Sequence, residues 1–143
     1  MQVAFYKGKG NKFNKLIRWW TRSEYSHVEL VVGSTWYSSS HTDSGVRSKR
    51  ITGNLGHWDI YDIPHCEEYA LDVYSGAVGD AYDWTGIIGS QILPFGIQWP
   101  YAYFCSELVG EMIGIEKPHR YSPGNLYDLL KQHSKLKPLN AVF

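Results

Sequence analysis

Net charge is the first thing this 143-residue chain lacks, with fourteen Lys and Arg set against fourteen Asp and Glu. No basic stripe interleaves with aromatics, so the electrostatic footprint of a nucleic-acid binder is missing. Long apolar runs are missing too. The opening Met1-Gln-Val-Ala-Phe-Tyr6 meets Lys7 and Lys9 too early for a secretory h-region, and no other stretch is apolar enough to span a bilayer. The expectation is a soluble protein made in the cytosol, a pattern that a cytoplasmic enzyme shares with a phage-borne protein released by lysis. Only two cysteines are present, Cys66 and Cys105. They make no disulfide framework, and a structural bridge would silence Cys105 if it is reactive. His57, His65 and Cys66 flank no second cysteine pair and match no familiar zinc spacing, so neither metal nor cofactor is expected. Repeats, low-complexity tracts and linkers are absent as well. With 43% hydrophobic residues, the expectation is one domain over 1–143 that buries its core without staples.

What the chain has in excess is aromatic side chains, six Trp and eleven Tyr among 15% aromatics. They concentrate at Trp19-Trp20, at Trp36-Tyr37 and from Phe95 to Phe104. Most are expected to fill a small core, while those near a cleft can grip flat or apolar substrate. Val3 to Tyr6 reads as a strand, followed by a helix from an Asn11 cap to about Thr21, with Phe13, Leu16, Ile17 and Trp20 on one face. His27 to Val32, Thr35 to Ser40, Val46 to Ile51 and Trp58 to Ile63 read as strands of an antiparallel meander. Helical spacing follows from about Tyr69 to Gly76, and again from Asp83 to Leu93. Phe95-Gly-Ile-Gln-Trp-Pro100 is a loop by composition. A helix from Phe104 to about Ile113 and a last one capped by Ser122 with Pro123 in its first turn complete the reading, and the tail from His133 is expected at the surface.

Cys105 lies where aromatic residues give way to helical spacing, in Tyr101-Ala-Tyr-Phe-Cys-Ser-Glu-Leu-Val109, so its thiol is expected at a helix N-terminus. The unpaired N–H groups and positive dipole end of a first helical turn favour thiolate over thiol. A nucleophile of this kind needs a base, and His27, at the mouth of a strand, is the candidate. The alternative for each residue is ordinary: helix cysteines are usually buried and inert, and a lone histidine is usually solvated or satisfied.

The segments Tyr25-Ser-His-Val-Glu-Leu and Tyr103-Phe-Cys-Ser-Glu-Leu-Val resemble the two signature segments of circularly permuted NlpC-type (papain-like) cysteine peptidases and amidases. That group includes the YiiX-like bacterial proteins and the lecithin:retinol acyltransferase-like enzymes. The order matches, histidine strand first and nucleophile helix late, and the resemblance runs from Val3 through Ser122-Pro-Gly-Asn-Leu, with Tyr82-Asp-Trp84 between. It implies an α+β fold, a small antiparallel sheet or half-barrel packed against helices. It also implies Cys105 as nucleophile and His27 as general base and then acid. The partners implied are peptide, peptidoglycan-fragment or acyl substrates.

The third catalytic member in such families is a polar residue on the strand after the histidine. Here Ser39 or Ser40 is expected roughly opposite His27, and family spacing points to Ser39, which adds no negative charge. His41 is the alternative if the strand continues or bulges. Glu29 shares a strand face with His27, but neighbours on one strand are less well placed to orient a ring than cross-strand partners. Glu107 is expected to serve structure in the first helical turn. Backbone N–H groups at the helix start suit an oxyanion. Tyr82, Trp99 and Tyr103 are candidates for lining the substrate cleft, and Phe95, Ile97 and Trp99 for an apolar lip. Three functions stay open on this reading: a thiol hydrolase of amide bonds, an acyl ester or thioester hydrolase or acyltransferase, and a binding module on a retired peptidase scaffold.

Overall fold

Six strands form one antiparallel sheet in the order β4-β3-β2-β1-β5-β8. In chain order these are β1 (Gln2–Tyr6), β2 (His27–Val32), β3 (Thr35–Ser40), β4 (Gly45–Lys49), β5 (Trp58–Asp62) and β8 (Lys137–Pro138), while β6 (Ala81–Tyr82) and β7 (Ala102–Tyr103) make a separate parallel pair. The α-helices are α1 (Lys12–Thr21), α2 (Glu67–Ala77), α3 (Cys105–Met112) and α4 (Pro123–Gln132). The computed structural model describes residues 1–9, 12–40, 43, 45–53, 55–79, 81–82, 102–133 and 137–138. The expected helix from Asp83 to Leu93 and the loop from Phe95 to Pro100 lie outside them, as do His41 and Trp99.

The α+β class expected from the sequence is the class observed. Alternation along each strand makes the two faces of the sheet different. Val3 and Phe5, Val28 and Leu30, and Val46 point to one face and pack with Leu108, Val109, Met112, Leu126 and Leu130 of α3 and α4. Ala4, Val31 and Trp36 point to the other, where Trp58 and Ile60 complete a smaller apolar cluster. β2 and β3 are joined by Gly33-Ser34, with Gly33 at φ 62°, a left-handed conformation that glycine enters without a Cβ penalty.

Two expectations need correction. The strands do not form a simple meander, because β5 pairs with β1 and not with β4, so β1 sits inside the sheet between β2 and β5. His133 is exposed, as expected of the tail, and within the tail β8 pairs with the outer edge of β5. In α1, Ile17 is buried but Leu16 is 51% exposed, which takes Leu16 off the packed face, and Trp19 is 73% exposed.

Helix α4 follows the rule read from its sequence. Pro123 occupies the first turn, and the Ser122 hydroxyl accepts the Asn125 N–H at 3.1 Å. Ser122→Ala is expected to cost about 1 kcal/mol and Ser122→Gly only a few tenths, read from the urea midpoint at constant m-value.

Candidate active site

His27 is the first residue of β2, and the segment leading into it is held from several directions. The Tyr25 N–H donates to the Ser23 hydroxyl at 3.1 Å, and the Ser26 N–H donates to the Tyr6 carbonyl at 3.0 Å. The Tyr25 ring packs on Phe5 and Tyr127, and its phenol donates to Asp59 Oδ2 at 2.6 Å. Burial first, and then that hydrogen bond, push the Tyr25 phenol well above its usual range. Gly124, at the start of α4, leaves room for Ser23, because a Cβ there would clash with the Ser23 hydroxyl. The strand mouth is thereby fixed to both the sheet and the helical layer.

Cys105 is the first residue of α3, with Phe104 as the extended N-cap residue at φ −86° and ψ 153°. The Glu107 carboxylate accepts the Phe104 N–H at 3.4 Å, the structural role expected of it. The Ser106 hydroxyl donates to the Tyr121 carbonyl, while Leu108, Val109 and Met112 are fully buried. These contacts leave the first turn of α3 little freedom to rotate.

The two ends meet. The His27 imidazole lies near enough to Cys105 to interact with its side chain, and its Nε2 lies 3.0 Å from Glu29 Oε1, which leaves Nδ1 as the nitrogen for sulfur. Burial alone would strip the proton from His27. The charge and hydrogen bond of Cys105, followed by those of Glu29, outweigh it and raise the imidazole to about 9. The sulfur is covered, Cys105 being 0% exposed, and His27, 18% exposed, is the member of the pair that meets solvent. Its ring also lies 6.2 Å from that of Trp58.

Glu29 was the residue that strand geometry ranked behind a cross-strand partner. Residues two apart on a strand are separated by about 6.7 Å along it, yet the glutamate reaches His27 Nε2. Arg47 on β4 grips the same carboxylate with two hydrogen bonds, Nη1 to Oε2 at 2.8 Å and Nη2 to Oε1 at 2.7 Å. Burial would raise Glu29, but the Arg47 guanidinium, with His27 behind it, holds it down at about 2. Arg47 also donates through Nε to Asp43 at 2.7 Å, and Lys49 reaches the same Asp43 oxygen at 2.8 Å.

Strand register explains how Arg47 gets there. β2 and β3 pair from Val32↔Thr35 to Leu30↔Tyr37, and one step on places Ser38 beside Glu29, while Ser38 pairs with Arg47 on β4. Two strand spacings, about 9.5 Å, separate Glu29 from Arg47, and a small serine between them lets the long side chain cross. The Ser38 hydroxyl itself donates to the Val28 carbonyl at 2.7 Å.

The β2–β3 pairing ends at Leu30↔Tyr37, so neither Ser39 nor Ser40 is a register partner of His27. Ser39 is fully buried and pairs with Val46, on the face that packs against the helices. Tyr82 and Tyr103 are register partners in the β6–β7 pair, whose second strand leads directly into α3. Sequence reasoning had no role for Arg47, and the signal for it was the Ser38 and Arg47 alternation beside an unpaired Glu29. It also passed over Ser26, buried next to His27, whose hydroxyl has no hydrogen-bond partner among the described residues.

Among the described residues, no group of three or more His, Cys, Asp and Glu is placed to hold a metal ion, and both cysteines are free. No helix among them is long and apolar enough to cross a membrane. No protein-family model matches this chain, and no curated protein matches it.

Proposed function

We propose that this chain is a cofactor-free cysteine hydrolase of amide bonds, of the permuted NlpC-type peptidase and amidase kind that its two sequence segments resemble. The observation that carries this reading is the interaction of the His27 imidazole with the side chain of Cys105, the first residue of a helix. The first-turn N–H groups of such a helix have no intrahelical partner and favour both a thiolate and an oxyanion beside it.

The steps balance in protons. The thiol proton passes to His27 Nδ1, giving thiolate and imidazolium. Sulfur attacks the amide carbonyl, and the C–N bond breaks as Nδ1–H protonates the leaving amine. Water then gives a proton back to Nδ1 while its oxygen attacks the acyl-cysteine, releasing the acid and restoring the thiol. Cell-wall peptides suit this chemistry as substrates. The reading of a retired binding module rests on a neutral Ser39 in place of an acid, and Glu29 beside His27 supports the hydrolase over it.

A panel of cell-wall peptides, isopeptides and acyl esters, incubated with the parent and with Cys105→Ala, tests the proposal. Turnover of an amide by the parent and none by the variant is the expected result. Turnover of acyl esters alone would replace it with the esterase or acyltransferase reading, and binding without turnover by the parent would replace it with the binding module.

A further inference from the structure

Beyond Cys105 and His27, the polar groups around the site line up in alternating charge. Sulfur faces imidazole, imidazole faces Glu29, Glu29 faces Arg47, Arg47 faces Asp43, and Asp43 faces Lys49. Burial falls along the line. Glu29 is 2% exposed, the Arg47 side chain is largely buried, and Asp43 and Lys49 are open to water. Screening makes the outer links weak, so the energetically effective part ends at Arg47.

We propose that Glu29 is the positioning residue of this site and that Arg47 makes it so. The proposal rests on the hydrolase reading for its consequence and on geometry alone for its substance. Glu29 accepts from Nε2–H, which fixes the imidazole tautomer and turns Nδ1 to the sulfur. A carboxylate two residues along the same strand would ordinarily swing between rotamers. The two bonds from Arg47 take that freedom away and keep the carboxylate ionised, so that it never competes for the proton in transit. The charge that Ser39 lacks thus comes from a residue on the histidine's own strand, anchored from two strands away. The groups facing His27 in this arrangement are Cys105 from α3 and Glu29 from β2, and those facing Glu29 are His27 and Arg47.

The test follows the His27 ring by nitrogen-detected NMR across pH 5 to 10 in the parent, Glu29→Gln, Arg47→Met, the double variant and Lys49→Ala, with kcat and KM on any substrate found. Glu29→Gln is expected to move the His27 titration down by at least about one pH unit, a tenfold change in the imidazolium to imidazole ratio, and to lower kcat more than KM rises. Arg47→Met leaves His27 as the one cation against the Glu29 charge, so the ring's titration moves up instead of down, and Lys49→Ala leaves it unmoved. Should a single variant fail to fold, the double variant, which leaves neither charge buried alone, carries the same expectation as Glu29→Gln. A parent-like His27 titration in folded Glu29→Gln or in the double variant would overturn the proposal. Because the ring is read without substrate, loss of the hydrolase reading would show in the parent's turnover and leave this result standing.

Discussion

At pH 6.5, His27→Ala is expected to slow alkylation of Cys105 by iodoacetamide about 100-fold. His27 is the base that takes the thiol proton, and a positioned base contributes about 10²- to 10⁴-fold to a step that needs it. The sulfur is fully buried, so alkylation waits on an opening of the structure around it. That opening scales the parent and the variant alike, and the difference between their pH profiles is what reports on the imidazole. Exposed Cys66 serves as the internal reference, separated from Cys105 by peptide mass. The profiles converge above about pH 9, where the raised His27 gives up its proton. The same shift predicts stability. A histidine raised above its unfolded value of about 6.5 contributes fully below that pH and loses the contribution as pH rises through about 9. Thermal melts of the parent should therefore fall between pH 7 and 9.5, and those of Cys105→Ala should fall less. Parent and His27→Ala alkylating Cys105 at the same rate at pH 6.5, relative to Cys66 in each, would contradict the activated pair.

The strands of this chain were legible because their faces differ. Val28 and Leu30 alternate with His27, Glu29 and Val31, and the observed β2 is the segment that this alternation marks. Ser122 and Pro123 placed α4 for a similar reason, since capping is local chemistry. What periodicity could not tell was which strands are neighbours. Alternation constrains a face and says nothing of order, so the insertion of β1 between β2 and β5 became visible only with the long-range register.

The same limit explains the site. Cys105 and His27 could be named because each sits at an element boundary whose chemistry is local. Glu29 ranks low on strand geometry alone, because a lone glutamate on the histidine's own strand orients a ring less well than a cross-strand partner. The deciding fact is a third residue, Arg47, eighteen positions away and two strands over. No pattern within β2 announces it. The ionic pair costs stability unless both members are present, so its maintenance in a small core is itself an argument that the geometry is used.

That argument has a measurable edge. Arg47→Met is expected to destabilise the fold by about 3 to 5 kcal/mol near pH 7, the cost of leaving one member of a buried pair without its partner. Glu29, nearly solvent-free, would keep only His27 against its charge. The pH dependence has a definite sign. Held at about 2 in the folded protein against about 4.3 in an unfolded chain, Glu29 contributes about 3 kcal/mol above the unfolded pKa. The parent loses that contribution as pH falls from about 4.3 towards 2. In Arg47→Met the carboxyl protonates more readily, so the gap between the two proteins narrows over the same descent. Glu29→Gln combined with Arg47→Met should recover most of the loss at neutral pH, because no buried charge then stands alone, and the coupling in this double-mutant cycle should exceed about 1 kcal/mol. Urea unfolding at pH 7, 5 and 3 measures all of it. Additive single-variant effects would mean that Glu29 and Arg47 do not act as a pair, and recovery of stability without recovery of the His27 titration would separate what the pair does for the fold from what it does for the site.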